Sequence, residues 1–262
     1  MSSLTDRTIE ALRAEHDVLA EIAGRLSEEE LAAPSGASEW TVAQVLSHLG
    51  SGAEIGLAGY QAAFQGKPTP GDAFNEKVWD RWNALPAAEV AAAFVDHDEA
   101  LVAELEALSP EQRESLTINF PYLPDPLPLG AALSMRLNEA AQHGWDVRVA
   151  LDPAAGIGDE TARVLAAHFA DGLGFLLGFT GKADALSGPA VVELPEADLV
   201  LDVHDRVRLT VTSGETTAKF SGPLESAIRL FGGRLTPEHT PGEVDVTGNV
   251  TLDDLRRVFP GY

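Results

Sequence analysis

Three side chains able to ligate a metal stand out in this chain, split between two segments with helical patterning. His48 lies in Trp40-Thr-Val-Ala-Gln-Val-Leu-Ser-His48-Leu-Gly, and the other two lie in Asn138-Glu139-Ala-Ala-Gln-His143-Gly-Trp145-Asp146-Val147. Glu139 and His143 are four residues apart, so on a helix they stack on one face and can grip one ion together. Two imidazoles and one carboxylate leave a coordination position open, as a catalytic divalent metal needs and a structural one avoids. These donors suit zinc or another borderline divalent ion better than calcium, which prefers oxygen throughout. Spacing by itself leaves a chance pairing open, because a Glu four residues before a His is a common pattern.

The neighbours bear on that reading. His48 falls amid Val45, Leu46 and Leu49, and the Glu139/His143 segment carries Ala131, Leu133, Leu137, Ala140 and Val147, so both helices read as core-facing. A buried Glu needs a counter-charge, and inward His and Glu on facing helices are how bundles build metal sites. Arg136 stands three residues before Glu139 and Asp146 three after His143, so both can share that face. Arg136 either holds an anionic substrate or forms a structural salt bridge across the helix. Asp146 either orients a ligand histidine or belongs to such a bridge. Trp40 and Trp145 read most simply as core or cap residues. His16, His97, His168, His204 and His239 read as structural or solvent-exposed, with His97 inside a solvated charge run, Asp96-His97-Asp98-Glu99.

The elements that must position these groups are mainly helical. Apolar residues at Leu4, Ile9, Leu12, Val18, Leu19 and Ile22 recur near the 3.6-residue period and predict a helix over 4–26. Further helices are expected over 41–65, 72–84, 87–108 and 129–150. Residues 119–128 contain four prolines and cannot form regular helix. An antiparallel four-helix bundle with a long loop before its last helix follows. One more helix is expected over 159–177, and then the pattern changes to alternating runs at 199–203, 207–211 and 216–220. Residues 211–216 read as a hairpin turn between the last two runs. Helices are expected from Pro223 to Phe231 and from a Thr251/Asp254 capping box to Val258, with a short strand at 244–247. The predicted class is α+β, mainly α: a four-helix bundle plus linking helix over 1–180, then a small α+β domain over 185–262.

Composition narrows the function classes. The 262 residues carry 41 acidic against 18 basic side chains, a formal charge of −23, which repels nucleic acid and anionic lipid. There is no cysteine, which removes disulfides, thiolate ligands and a cysteine nucleophile, so thiol chemistry would need a small molecule to bring the sulfur. With no signal peptide or transmembrane pattern evident, a soluble cytoplasmic protein is expected, with neither a nucleic-acid nor a membrane partner.

Residues 36–49, Gly-Ala-Ser-Glu-Trp-Thr-Val-Ala-Gln-Val-Leu-Ser-His-Leu, resemble the Trp-Thr-Val…His-Leu signature of DinB-like metal-binding helical bundles. Glu139-Ala-Ala-Gln-His143-Gly-Trp-Asp146 resembles the Glu-x-x-x-His-x-x-Asp element of one branch, the mycothiol-dependent maleylpyruvate isomerase family. The resemblance implies a DinB-like bundle joined to a small domain distantly like sterol-carrier proteins. It also implies zinc held by His48, Glu139 and His143, with mycothiol as a low-molecular-weight thiol cosubstrate. In such an isomerase the thiolate adds to the double bond of maleylpyruvate, the new single bond rotates, and loss of the thiol leaves fumarylpyruvate. Related members transfer the thiol to electrophiles instead. The resemblance further implicates an arginine of the C-terminal domain, and Arg234 in Phe231-Gly-Gly-Arg234 occupies a matching position. It can equally be an exposed arginine at a helix C-terminus. Arg234 and Arg136 are therefore the candidate catalytic arginines.

Three functions stay open on the sequence. They are a zinc- and mycothiol-dependent isomerase or S-transferase acting on a small-molecule electrophile, a hydrolase using metal-bound hydroxide, and a non-catalytic metal- or ligand-binding protein. Either a monomer or a homodimer is compatible with the acidic surface. Tyr122, in the proline-rich loop, is a candidate wall of the pocket.

Overall fold

The computed structural model describes residues 2–120, 123, 125–211 and 214–261. It divides into two compact units, Met1–Asp152 and Pro153–Tyr262. With 57% of residues helical and a small sheet in the second unit, the fold is α+β and mainly α.

The first unit contains α1 (Leu4–Ala23), α2 (Glu28–Ala32), α3 (Val42–Phe64), α4 (Asp72–Asn83), α5 (Ala87–Glu106) and α6 (Pro110–Ser115). A two-residue antiparallel pair, β1 (Thr117–Ile118) with β2 (Leu127–Pro128), leads into α7 (Leu129–Val149). Local chemistry sets the helix starts. Ser3, Ser27, Thr41 and Ser109 each cap a helix, and the residue three positions later returns the hydrogen bond. Pro86 and Pro128 open α5 and α7, where a missing N–H costs nothing. The long helices close a square, with α1 packing on α5 and α7, and α3 packing on the same two. Leu19, Leu46, Leu49, Phe94 and Val147 fill the middle, and α4 adds Trp82. Each fully buried side chain of this kind contributes about 1.5–3 kcal/mol. The short helices α2 and α6 are absent from the expected set, although their Ser-x-x-Glu and Ser-x-x-Gln boxes mark them in the chain.

In the second unit the single helix expected over 159–177 is two, α8 (Asp159–Phe169) and α9 (Gly174–Thr180), bent by 84° at their break. The division at Asp152/Pro153 falls ahead of α8, which packs on α10 (Leu224–Phe231) of the sheet-bearing unit. The sheet holds β3 (Ala190–Leu194), β4 (Leu199–Val203), β5 (Val207–Val211), β6 (Ala218–Ser221) and β7 (Asp245–Gly248), in the order β5-β4-β3-β6-β7. This order overturns the expected hairpin between 207–211 and 216–220. β5 pairs with β4, whereas β6 pairs in parallel with the central strand β3 and antiparallel with β7. Thr212 and Ser213, in the expected turn, lie outside the described residues. α11 (Leu252–Val258) starts at the Thr251/Asp254 capping box. Phe231 packs edge-on against Phe169, with ring centroids 5.8 Å apart, and tilted against Phe259 at 5.1 Å.

Among the described residues no single helix is long and apolar enough to cross a membrane.

Candidate metal centre

His48 sits on the second turn of α3, and Glu139 and His143 face it from consecutive turns of α7. The three offer ligand atoms that all lie within 4.8 Å of one another. His48 Nε2 is 3.1 Å from Glu139 Oε2, and His143 Nε2 is 3.6 Å from the same oxygen. Two donors at zinc-bond length in tetrahedral geometry stand about 3.3 Å apart, close to both of these separations. The His48 and Glu139 side chains are 40% and 37% exposed against 12% for His143, so the cluster opens on the His48–Glu139 side.

Charge reinforces that geometry. Burial opposes ionisation of Glu139, but the hydrogen bond with His48 and the electrostatic influence of His143, His48 and Arg136 outweigh it and hold the carboxyl below its ordinary range. The group is therefore an anion at neutral pH, as a metal ligand must be.

Asp146 is fully buried, and its Oδ2 lies 2.8 Å from His143 Nδ1. With Nδ1 hydrogen-bonded to the carboxylate, Nε2 is the ring nitrogen turned toward Glu139 and His48. The loop before α3 also rests on Asp146. The Gly36 N–H donates to the Asp146 carbonyl at 2.8 Å, and a Cβ on Gly36 would meet Val149 Cγ1 at 2.7 Å. A side chain at position 36 would thus lift this loop from α7. The loop is closed on itself, since the Ser35 N–H and hydroxyl both donate to the Trp40 carbonyl, at 2.9 and 2.8 Å.

That closure delivers Trp40 to the centre. Its ring stacks on His143 at a centroid distance of 5.8 Å and tilts against His48 at 5.2 Å, while 37% of the residue stays exposed. Trp40 is therefore a flank of the cluster and not a core residue, in contrast to Trp145, which is 1% exposed.

Arg136 lies one turn from Glu139 and bridges helices instead of pairing along its own. Its Nη2 donates to Asp98 Oδ1 at 2.7 Å and to the Leu49 carbonyl at 3.1 Å. Asp98 also meets His16 Nδ1 at 2.9 Å. The expected solvated run 96–99 is thus broken by a buried Asp98, 6% exposed, because its side chain turns inward between α1 and α7. Asp98 is the residue of this region that sequence reasoning missed, and its place in a charge run conceals it.

In the second unit Arg234 follows α10 and is 8% exposed, so it is not a surface arginine. Its Nη1 donates to the Gly232 carbonyl at 2.8 Å and its N–H to the Arg229 carbonyl at 2.8 Å. Gly233, at φ 74°, closes this turn against Gly261, where an added Cβ would meet the backbone at 2.3 Å. Tyr122 lies outside the described residues.

The family model described as "Mycothiol maleylpyruvate isomerase N-terminal domain" matches residues 12–148, more than half of the chain. A solved structure of "the mycothiol-dependent maleylpyruvate isomerase" is similar in fold, with a TM-score of 0.65 over 95% of this chain and 98% of that one, at 16% identity. A histidine-to-alanine mutant of that isomerase is similar at a TM-score of 0.64 and 15% identity, with the same coverage. None of the curated proteins matches the chain.

Proposed function

Because the chain belongs to the mycothiol maleylpyruvate isomerase N-terminal domain family, we propose that it is a mycothiol-dependent enzyme whose metal centre is His48, Glu139 and His143. The observation that carries this reading is the convergence of these three donors, from two helices, at spacings that fit one zinc ion. An ion there supplies the positive charge that keeps a small thiol deprotonated near neutral pH.

The chain's own groups take the remaining tasks. Asp146 bonds His143 at Nδ1 and so orients Nε2 toward the position of the ion. Arg136 carries positive charge close to Glu139, anchored by Asp98, and directs the anionic end of an electrophile. Arg234 is the arginine proposed from the second unit. In the proposed reaction the thiolate sulfur bonds to one alkene carbon of a cis-unsaturated keto acid, and the displaced π pair moves onto the carbonyl oxygen. Rotation about the carbon–carbon bond that was the alkene, followed by return of that pair and departure of sulfur, leaves the trans isomer and regenerates the thiolate. Thiol S-transfer shares the first half of this sequence and ends with departure of a leaving group instead.

The test is conversion of maleylpyruvate by protein loaded with zinc, with and without mycothiol, beside a His48→Ala variant. Turnover that needs the metal, the thiol and His48 is expected. Full turnover without thiol would replace this reading with attack by metal-bound hydroxide, and full activity of the variant would remove His48 from the centre.

A further inference from the structure

Past His48, its face of α3 is stripped of side chains: Gly52 is one turn on, Gly56 two and Gly59 three. α7 runs by in the opposite sense, since His48 meets Glu139, while Leu49 and Gly52, further along α3, meet Arg136. Beyond Arg136, α3 borders a cleft of about 440 Å³, closed by α4 and residues 118–120. At the helical rise, Ile55 to Gly59 lies roughly 10–17 Å along the axis from His48.

Packing does not explain the bareness of this face at Gly59. Among the described residues a Cβ there would meet nothing within 4 Å, although a helix-interior glycine costs about 1 kcal/mol relative to alanine. Open space is what the glycine provides. The described lining is uncharged apart from one residue. Ile55, Ile118 and Phe120 give apolar surface, Asn75, Asn119 and Thr69 give neutral hydrogen-bonding groups, and Tyr60 gives both. Asp72 is the charged member of the described lining, and no cation stands there. The cleft is therefore hostile to a carboxylate and suited to an uncharged ligand with hydroxyl or amide groups and apolar ring faces. Asn75 supplies the specific cue. Among the described residues its buried Oδ1 has no hydrogen-bond donor, which leaves an acceptor whose complement is a ligand O–H or N–H.

We propose that this cleft, lined by Gly59, Tyr60 and Asn75, receives the uncharged, hydroxyl-rich body of the thiol cosubstrate whose sulfur reaches the metal centre. The assignment rests on the thiol-dependent reading and separates two tasks on one helix face. The anionic electrophile is placed near Arg136, and the neutral part of the thiol is placed further along α3.

The experiment is calorimetric titration of zinc-loaded protein with mycothiol, whose sulfur is attached to a polyol body, and with N-acetylcysteine, which lacks that body. Wild-type protein is expected to bind mycothiol at least ten-fold more tightly. Gly59→Leu, which fills the cleft without striking backbone, and Asn75→Ala are each expected to erase most of that preference. Melting curves confirm that both variants are folded. Equal affinity of wild-type protein for the two thiols, or undiminished preference in both variants, overturns the cleft assignment and leaves the thiol reading intact. Failure of wild-type protein to bind either thiol overturns both.

Discussion

His143 turns its Nδ1 toward the buried Asp146 carboxylate at 2.8 Å and its Nε2 toward Glu139 at 3.6 Å. One imidazole thus has one side held by a group with no exposure and the other aimed at the remaining two ligands. Asp146→Asn keeps the shape but weakens that hold. Zinc affinity, measured by competition with a chromophoric chelator, is expected to fall about 10–100-fold with the fold retained. An unchanged affinity would leave Asp146 a purely structural residue.

His48→Ala and Glu139→Gln remove donors directly, so each is expected to lose more than the Asp146 variant does. Elemental analysis after dialysis should show near-stoichiometric metal in the wild-type protein and, for each variant, a drop in affinity on the order of a hundred-fold or more. Because both side chains are partly exposed, their replacement should change the melting temperature of the metal-free protein little.

Trp40 stacks on His143 and tilts against His48, so its fluorescence should report the centre. Titration with cobalt(II) is expected to quench emission, and Trp40→Phe should remove most of the quenching. Quenching that persists undiminished would assign it to another tryptophan.

Asp98 and Arg136 form a buried pair whose disruption leaves one charge uncompensated. Asp98→Ala is expected to destabilise the first unit by about 3–5 kcal/mol in urea denaturation, and a double variant with Arg136→Met should recover much of that loss. Substrate KM should rise in the Arg136 variant even where stability is restored.

Acid stability follows from two carboxylates. Burial pushes Asp98 upward, but Arg136 and His16 outweigh it and hold its carboxyl below the ordinary range. Burial likewise opposes the charge of Glu225, and its bonds from Arg229, Ser226 and the Ile157 N–H outweigh that opposition. A carboxyl whose folded pKa is depressed contributes stability above its unfolded value, about 4, and loses it as pH falls through the folded value. Melting temperature should therefore hold between pH 7 and 5 and fall below about pH 4. In Glu225→Gln the second unit should melt lower at pH 7, and the gap to wild type should narrow in acid. A gap that widened in acid would contradict the assigned direction.

Much of the first unit is local in origin and could be read from the chain. Helix starts at Ser3 and Thr41 follow from capping residues adjacent in sequence, and the shared face of Glu139 and His143 follows from the helical period. Residue type and helical patterning already group these two with His48, and the resemblance strengthens that grouping. Tertiary structure decided what depends on distant neighbours. Ala190–Leu194 became the central strand because it pairs with β4 on one side and β6 on the other, and this separates β5 from β6 where a local turn pattern predicts a hairpin. Asp98 faces inward because Arg136 and His16, remote in sequence, give its charge a place to go. Trp40 reaches the histidines because the loop on Gly36 can lie flat against α7. Capping and helical periodicity act over a few residues of backbone, whereas sheet order and the pairing of buried charges depend on which distant segments meet.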